Sequence, residues 1–169
     1  SISTGLTIVP SSYASTDELV ELVKAIAPYE GAFYVTHARW RTDDHTDAAR
    51  EALEIGKRSE VPVQFTHMAI IDPRAHGRAE EVVSVFQQAR AAGQDATYDM
   101  YPYNAAGSSL GQLMPEWSFQ GGITKVLERL REPETRGKIA EETVNGYFGS
   151  MMTLFHPHTR FGSYYHTIR

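Results

Sequence analysis

The chain has 169 residues, 41% of them hydrophobic, with a formal net charge of −5 and no cysteine. That length supports one domain with a real core, and an acidic balance without a Lys/Arg run argues against nucleic acid as a partner. Without cysteine there are neither disulfides nor thiolate ligands. With no apolar run long enough to span a membrane and no recognisable signal peptide, a cytoplasmic location is expected.

In chain order, "GLTIV" at 5–9 is short, apolar and β-prone, and Pro10 closes it, which predicts a first strand. Ser15 and Glu18 then have the spacing of a capping box ahead of a helix burying Leu19, Leu22, Val23 and Ile26. Pro28 and Gly31 stop that helix. "AFYVTHA" at 32–38 predicts the second strand. Residues 46–59 predict a helix burying Ala49, Ala52 and Leu53. "VPVQFTHM" at 61–68 predicts the third strand. Residues 78–92 predict a helix with Val82, Val83, Phe86 and Ala89 inward, ended by Gly93 at C′. "DATYDMYPY" at 95–103 reads as a fourth strand, 104–121 as a Gly/Ser-rich loop, and 122–145 as one or two polar helices broken near "EPET". Alternating strands and helices imply parallel pairing through right-handed crossovers.

Two of these strands finish in Thr-His, at His37 and His67, 30 residues apart, about the length of one βαβ unit. In parallel α/β folds the strand C-termini gather on one rim, where sites are built. The two imidazoles are therefore expected on neighbouring strands with converging side chains, close enough to share a metal ion. Neutral imidazole suits zinc, although a hydrolytic zinc site takes three protein ligands and only two are visible. The carboxylates of "RTDDHTD" at 41–47 fall where a helix N-cap belongs and read as capping groups. The His-x-His of "FHPHTRFG" at 155–162 reads as part of a surface tail. No phosphate-binding Gly loop or nucleophile elbow is present.

The stretches "GLTIVPSSYASTDELVELVKAIAPYEGAFYVTHAR", "EALEIGKRSEVPVQFTHM" and "DATYDMYPYNAAGSS" together resemble the N-acyl-D-amino-acid deacylases (D-aminoacylases) of the amidohydrolase superfamily, over about residues 3–145. The resemblance implies an α/β fold: part of a (β/α)8 TIM barrel, about strands 4–7 with their helices. It makes His37 and His67 zinc ligands at the ends of barrel strands five and six. It puts Tyr101, Ser108 and Arg39 at positions that meet the substrate. In such enzymes zinc activates a water, an Asp acts as general base, and the amide of an N-acyl-D-amino acid is cleaved. The family's first-strand His-x-His, its early cysteine ligand and its late catalytic Asp have no counterparts here, so no catalytic residue is assigned and the zinc site is incomplete.

A full barrel needs about 250 residues. Residues 1–147 are therefore expected to form a partial barrel and 148–169 an atypical tail beyond a shifted junction. Four strands cannot close, so an edge strand and an apolar sheet face should lie uncovered. Self-association, or barrel segments supplied by another chain, would cover them. The alternative is a non-catalytic α/β binding module.

Overall fold

The computed structural model describes residues 1–39, 46–68, 70, 75, 77–102, 111 and 114–145. The chain divides into two compact units, residues 1–70 with 77–102, and residues 71–76 with 103–169.

The first unit is built on four strands, β1 (Ile2–Gly5), β2 (Tyr34–His37), β3 (Val63–Thr66) and β4 (Ala96–Tyr98). They lie in chain order and every neighbouring pair is parallel. Three helices make the crossovers: α1 (Thr16–Lys24), α2 (Asp47–Ser59) and α3 (Ala79–Ala91). The alternation read from the sequence is thus the observed one, with the short apolar runs at 32–38 and 61–68 forming buried strands and each intervening segment carrying one apolar stripe.

The boundaries differ in instructive ways. The first strand is Ile2–Gly5, not 5–9. Leu6 and Thr7 are buried in the turn that follows, and Thr7 Oγ1 donates to Ala38 O at 2.7 Å. The apolar character of "GLTIV" therefore reflects packing under a loop rather than strand pairing. In α1 the capping serine works as read, Ser15 Oγ accepting from Glu18 N at 3.1 Å. The buried face is Leu19, Val20 and Val23, while Leu22 is 51% exposed. In α3 the fully buried positions are Val82, Val85 and Phe86, with Val83 and Ala89 half-buried. Gly93 has φ +88°, the left-handed conformation that ends a helix most cheaply at glycine.

The sheet has two dissimilar faces. Val63, Phe65, Ala96 and Tyr98 turn toward α2 and α3. Phe65 and Tyr98 both stack edge-on against Phe86, at ring distances of 5.4 and 5.0 Å. Phe65 and Phe86 are fully buried, and burying side chains of this size stabilises the fold by about 1.5–3 kcal/mol each. Tyr34 and Thr36 share this face by register with Val63 and Phe65. Both are fully buried, and Thr4 Oγ1 lies 2.7 Å from the Tyr34 hydroxyl and 2.9 Å from Thr36 Oγ1, so the polar atoms there are partnered. Gly56 of α2 marks a close approach of helix to sheet. A Cβ there would lie 2.0 Å from Val63 Cγ2 and 2.9 Å from Val61 O.

On the opposite face strict alternation puts Ser3, Val35, Gln64 and Thr97 in line across the four strands. Ser3 and Thr97 are exposed, Val35 and Gln64 half-buried. The expected apolar face is therefore corrected: the face away from α2 and α3 is largely polar. Apart from Val35, the hydrophobic side chains of the sheet are committed to one side.

In the second unit, α4 (Ile123–Arg131) and α5 (Pro133–Asn145) follow a 3-10 turn at Glu116–Phe119. Val126 and Ile139 are buried, Trp117 Nε1 donates to Glu142 at 2.6 Å, and Lys138 Nζ stands 4.8 Å from the centre of the Trp117 ring. The break expected near "EPET" falls between α4 and α5. The tail from 148 onward lies outside the described residues.

Candidate metal centre

The C-terminal ends of β2 and β3 bring His37 and His67 together, their ring centres 5.2 Å apart and their planes inclined by 66°. The two Thr-His pairs are not in register, however. His37 is the last residue of β2 and stands opposite Thr66, so His67 lies one position beyond the strand. By alternation His37 belongs to the polar face, and His67 would follow Phe65 to the helix side. The backbone prevents this: His67 has φ +56°, one of two non-glycine residues on the left-handed side among the described residues. That conformation costs an ordinary L-residue about 1 kcal/mol or more and clusters at functional sites. Here it re-aims the imidazole toward His37.

Asp99, just past β4, clasps this turn. Its Oδ1 accepts from His67 N at 2.9 Å, its backbone N donates to Phe65 O at 3.0 Å, and its carbonyl accepts from Met68 N at 2.8 Å. Its Oδ2 accepts from Gln64 Nε2 at 2.8 Å, and Gln64 Oε1 in turn pairs with the Thr97 hydroxyl. The sequence reading put the Asp99–Tyr103 segment at this rim, but the family pattern assigned Asp99 no role. The available signal was a carboxylate at the same rim of a less apolar strand.

Electrostatics favour neutral imidazole at His37. Burial, and then the neighbouring His67, lower its pKa from the usual value near 6.5. Tyr101 completes the cluster, its ring centre 6.3 Å from that of His67, with burial raising the pKa of its hydroxyl. Ser108 lies outside the described residues, as do Trp40 and 41–45 of the acidic loop. Arg39 is engaged elsewhere: its Nε donates to Glu51 at 3.0 Å, and its terminal nitrogens donate to Ser12 O and Ala14 O. Glu51 also accepts from Thr16 Oγ1 at 2.8 Å. Arg39 thus ties the end of β2 to the β1–α1 loop and to α2. A groove of about 1290 Å³ runs along the helices, lined in part by Leu53, Gly56, Val85 and Gln94, and none of His37, His67, Asp99 or Tyr101 lines it.

The pair fits zinc as two of its ligands. Two imidazoles bound at about 2.0–2.1 Å in a tetrahedral set have ring centres about 5 Å apart, the spacing of His37 and His67. Among the described residues no group of three His, Cys, Asp or Glu gathers to hold a metal ion.

An N-acyl-D-aspartate deacylase of Alcaligenes xylosoxydans xylosoxydans is 36% identical over 109 residues, 64% of this chain and 22% of that one. The chain resembles the N-acyl-D-amino-acid deacylases. A D-aminoacylase crystal structure, described as defining a subset of amidohydrolases, superposes with a TM-score of 0.58 at 33% identity, over 62% of this chain and 22% of that chain. An N-acyl-D-glutamate deacylase from Bordetella bronchiseptica, solved with zinc and a phosphonate mimic of the tetrahedral intermediate, superposes with a TM-score of 0.55 at 28% identity, over 60% and 21% of the two chains. No family model matches. The chain spans about a fifth of the length of these deacylase relatives, so its parallel sheet corresponds to part of a deacylase barrel.

Proposed function

We propose that this chain supplies part of the metal-binding rim of an amidohydrolase acting on N-acyl-D-amino acids. His37 and His67 are two ligands of a zinc ion, and Tyr101 and Ser108 are hydroxyls that meet the substrate's carboxylate or carbonyl. The observation that carries the reading is the convergence of the two rings at 5.2 Å, achieved through an unfavourable backbone conformation at His67. Zinc held there would polarise a water and lower its pKa toward neutrality. The chain's own contributions are specific. His37 stays neutral through burial and through its neighbour, which leaves a ring nitrogen free to bind a cation. Tyr101 keeps its proton, so it can donate to a substrate oxygen. Arg39 acts through the loop it holds rather than through substrate, since its guanidinium is engaged by Glu51, Ser12 and Ala14.

The test is titration of the chain with zinc, alongside His37→Ala and His67→Ala, and an assay of amide release from several N-acetyl-D-amino acids. Weak binding lost in both variants is expected, because two ligands fall short of the usual three. Turnover at background is expected as well, since the loss of a general base alone lowers rates about 10²–10⁴-fold. Zinc binding indifferent to both substitutions would remove the reading. Zinc-dependent turnover abolished by both would show that the chain assembles a working site.

A further inference from the structure

We infer that Asp99 is the positioning residue of this site: its carboxylate holds His67 in the left-handed conformation that turns the imidazole toward His37. The role given to His67 rests on the function proposed above, but the positioning itself does not.

Three observations carry it. His67 follows a strand residue whose partner across the sheet is His37, so an extended backbone would send its side chain to the helix side. It departs from that path at φ +56°. A left-handed non-glycine residue persists only where its surroundings over-determine it. Here the surroundings are Asp99, which is joined to Phe65, His67 and Met68 by hydrogen bonds of 3.0, 2.9 and 2.8 Å. Two of these use the Asp99 backbone and would survive replacement by alanine or asparagine. The bond to the His67 amide uses the side chain, and it is the one that fixes the residue in question.

The carboxylate is itself held. Gln64 Nε2 donates to its other oxygen at 2.8 Å, and Gln64 is braced by Thr97 on the neighbouring strand. Each carboxylate oxygen therefore already accepts a hydrogen bond, and among the described residues Asp99 does not gather with the two histidines as a third metal ligand. This arrangement gives the polar face a purpose, since Gln64 and Thr97 hold the Asp99 carboxylate in line with the His67 amide.

The experiment uses the full chain with zinc as the only added ligand. Amide hydrogen exchange at His67 is followed by NMR in the unsubstituted chain, Asp99→Ala and Asp99→Asn. Zinc affinity is measured by competition with a chromophoric chelator in the same three proteins and in His67→Ala. Asparagine keeps one side-chain acceptor for the His67 amide, while Gln64 can turn its own amide to accept from the new Nδ2 and donate to Thr97 Oγ1, so it should restore what alanine removes. Protection of the His67 amide is expected in the unsubstituted chain and in Asp99→Asn, and its loss in Asp99→Ala. Zinc affinity should fall about 10–100-fold in Asp99→Ala, the usual cost of losing a group that orients a ligand, and stay within a few-fold in Asp99→Asn. If Asp99→Ala does not fold, the unsubstituted chain still decides: an unprotected His67 amide overturns the inference. Affinity unchanged in Asp99→Ala but lost in His67→Ala also overturns it. If no protein binds zinc while the exchange pattern holds, the metal reading fails and the positioning stands.

Discussion

His37 is the residue whose chemistry is most exposed to conditions. Its pKa is depressed in the fold by burial and by His67, so between that lowered value and about 6.5 the unfolded chain binds a proton that the folded chain does not. Stability contributed by neutral His37 is therefore complete above about 6.5 and is lost as pH falls toward the lowered value. Chemical denaturation of the metal-free chain from pH 7.5 to 5.5 should show a decline that His37→Gln flattens. An equal slope in both proteins would show that other groups govern it. The two histidines were legible in the sequence because Thr-His recurs at the end of two apolar runs. The one-residue offset in their register was not, because nothing in "FTHM" announces a positive φ, and the partner that stabilises it lies 32 residues further on. Arg39 illustrates the same limit. The family resemblance put it against substrate, yet what engages its guanidinium is Glu51 together with two backbone carbonyls.

Elements were read more securely than their edges. Every crossover helix was visible from its apolar stripe, and α2 most clearly, with Ala49, Ala52 and Leu53 buried as expected. The first strand slipped because a loop can bury Leu6 as completely as a strand can. Leu22 was read as buried and is half-exposed, while Val20 takes its place. Leucine and valine on adjacent faces carry the same hydrophobic signal, and only packing against the neighbouring helix chooses between them. Gly56 carries a quantitative test at this scale. A glycine inside a helix costs about 0.5–1 kcal/mol relative to alanine, so propensity alone favours Gly56→Ala. The structure reverses the sign, because the added methyl would meet Val63 at 2.0 Å and the Val61 carbonyl at 2.9 Å. Displacing α2 from β3 should lower stability by about 1–3 kcal/mol, as overpacking usually does. A thermal melt in which Gly56→Ala is as stable as the parent would show that α2 can retreat without loss.

At the scale of the molecule, the described sheet ends at β1 and β4, each paired on one side only. Parallel strands with free edges offer ready pairing to other chains, and closure into a barrel takes about eight. Sedimentation velocity over a range of concentrations should show association that lysine at Ser3, on the exposed edge strand, reduces. A monomer at every concentration would mean that the edges are protected. The polar face adds a consequence of another kind. The side chains that hold the sheet to its helices and the side chains that surround the histidines occupy opposite sides of the same four strands. A change at Ser3 replaces an exposed group, and such changes ordinarily alter stability by no more than about 0.5 kcal/mol. A substitution there leaves the packing against α2 and α3 untouched, so the polar side of the sheet tolerates change that the apolar side does not.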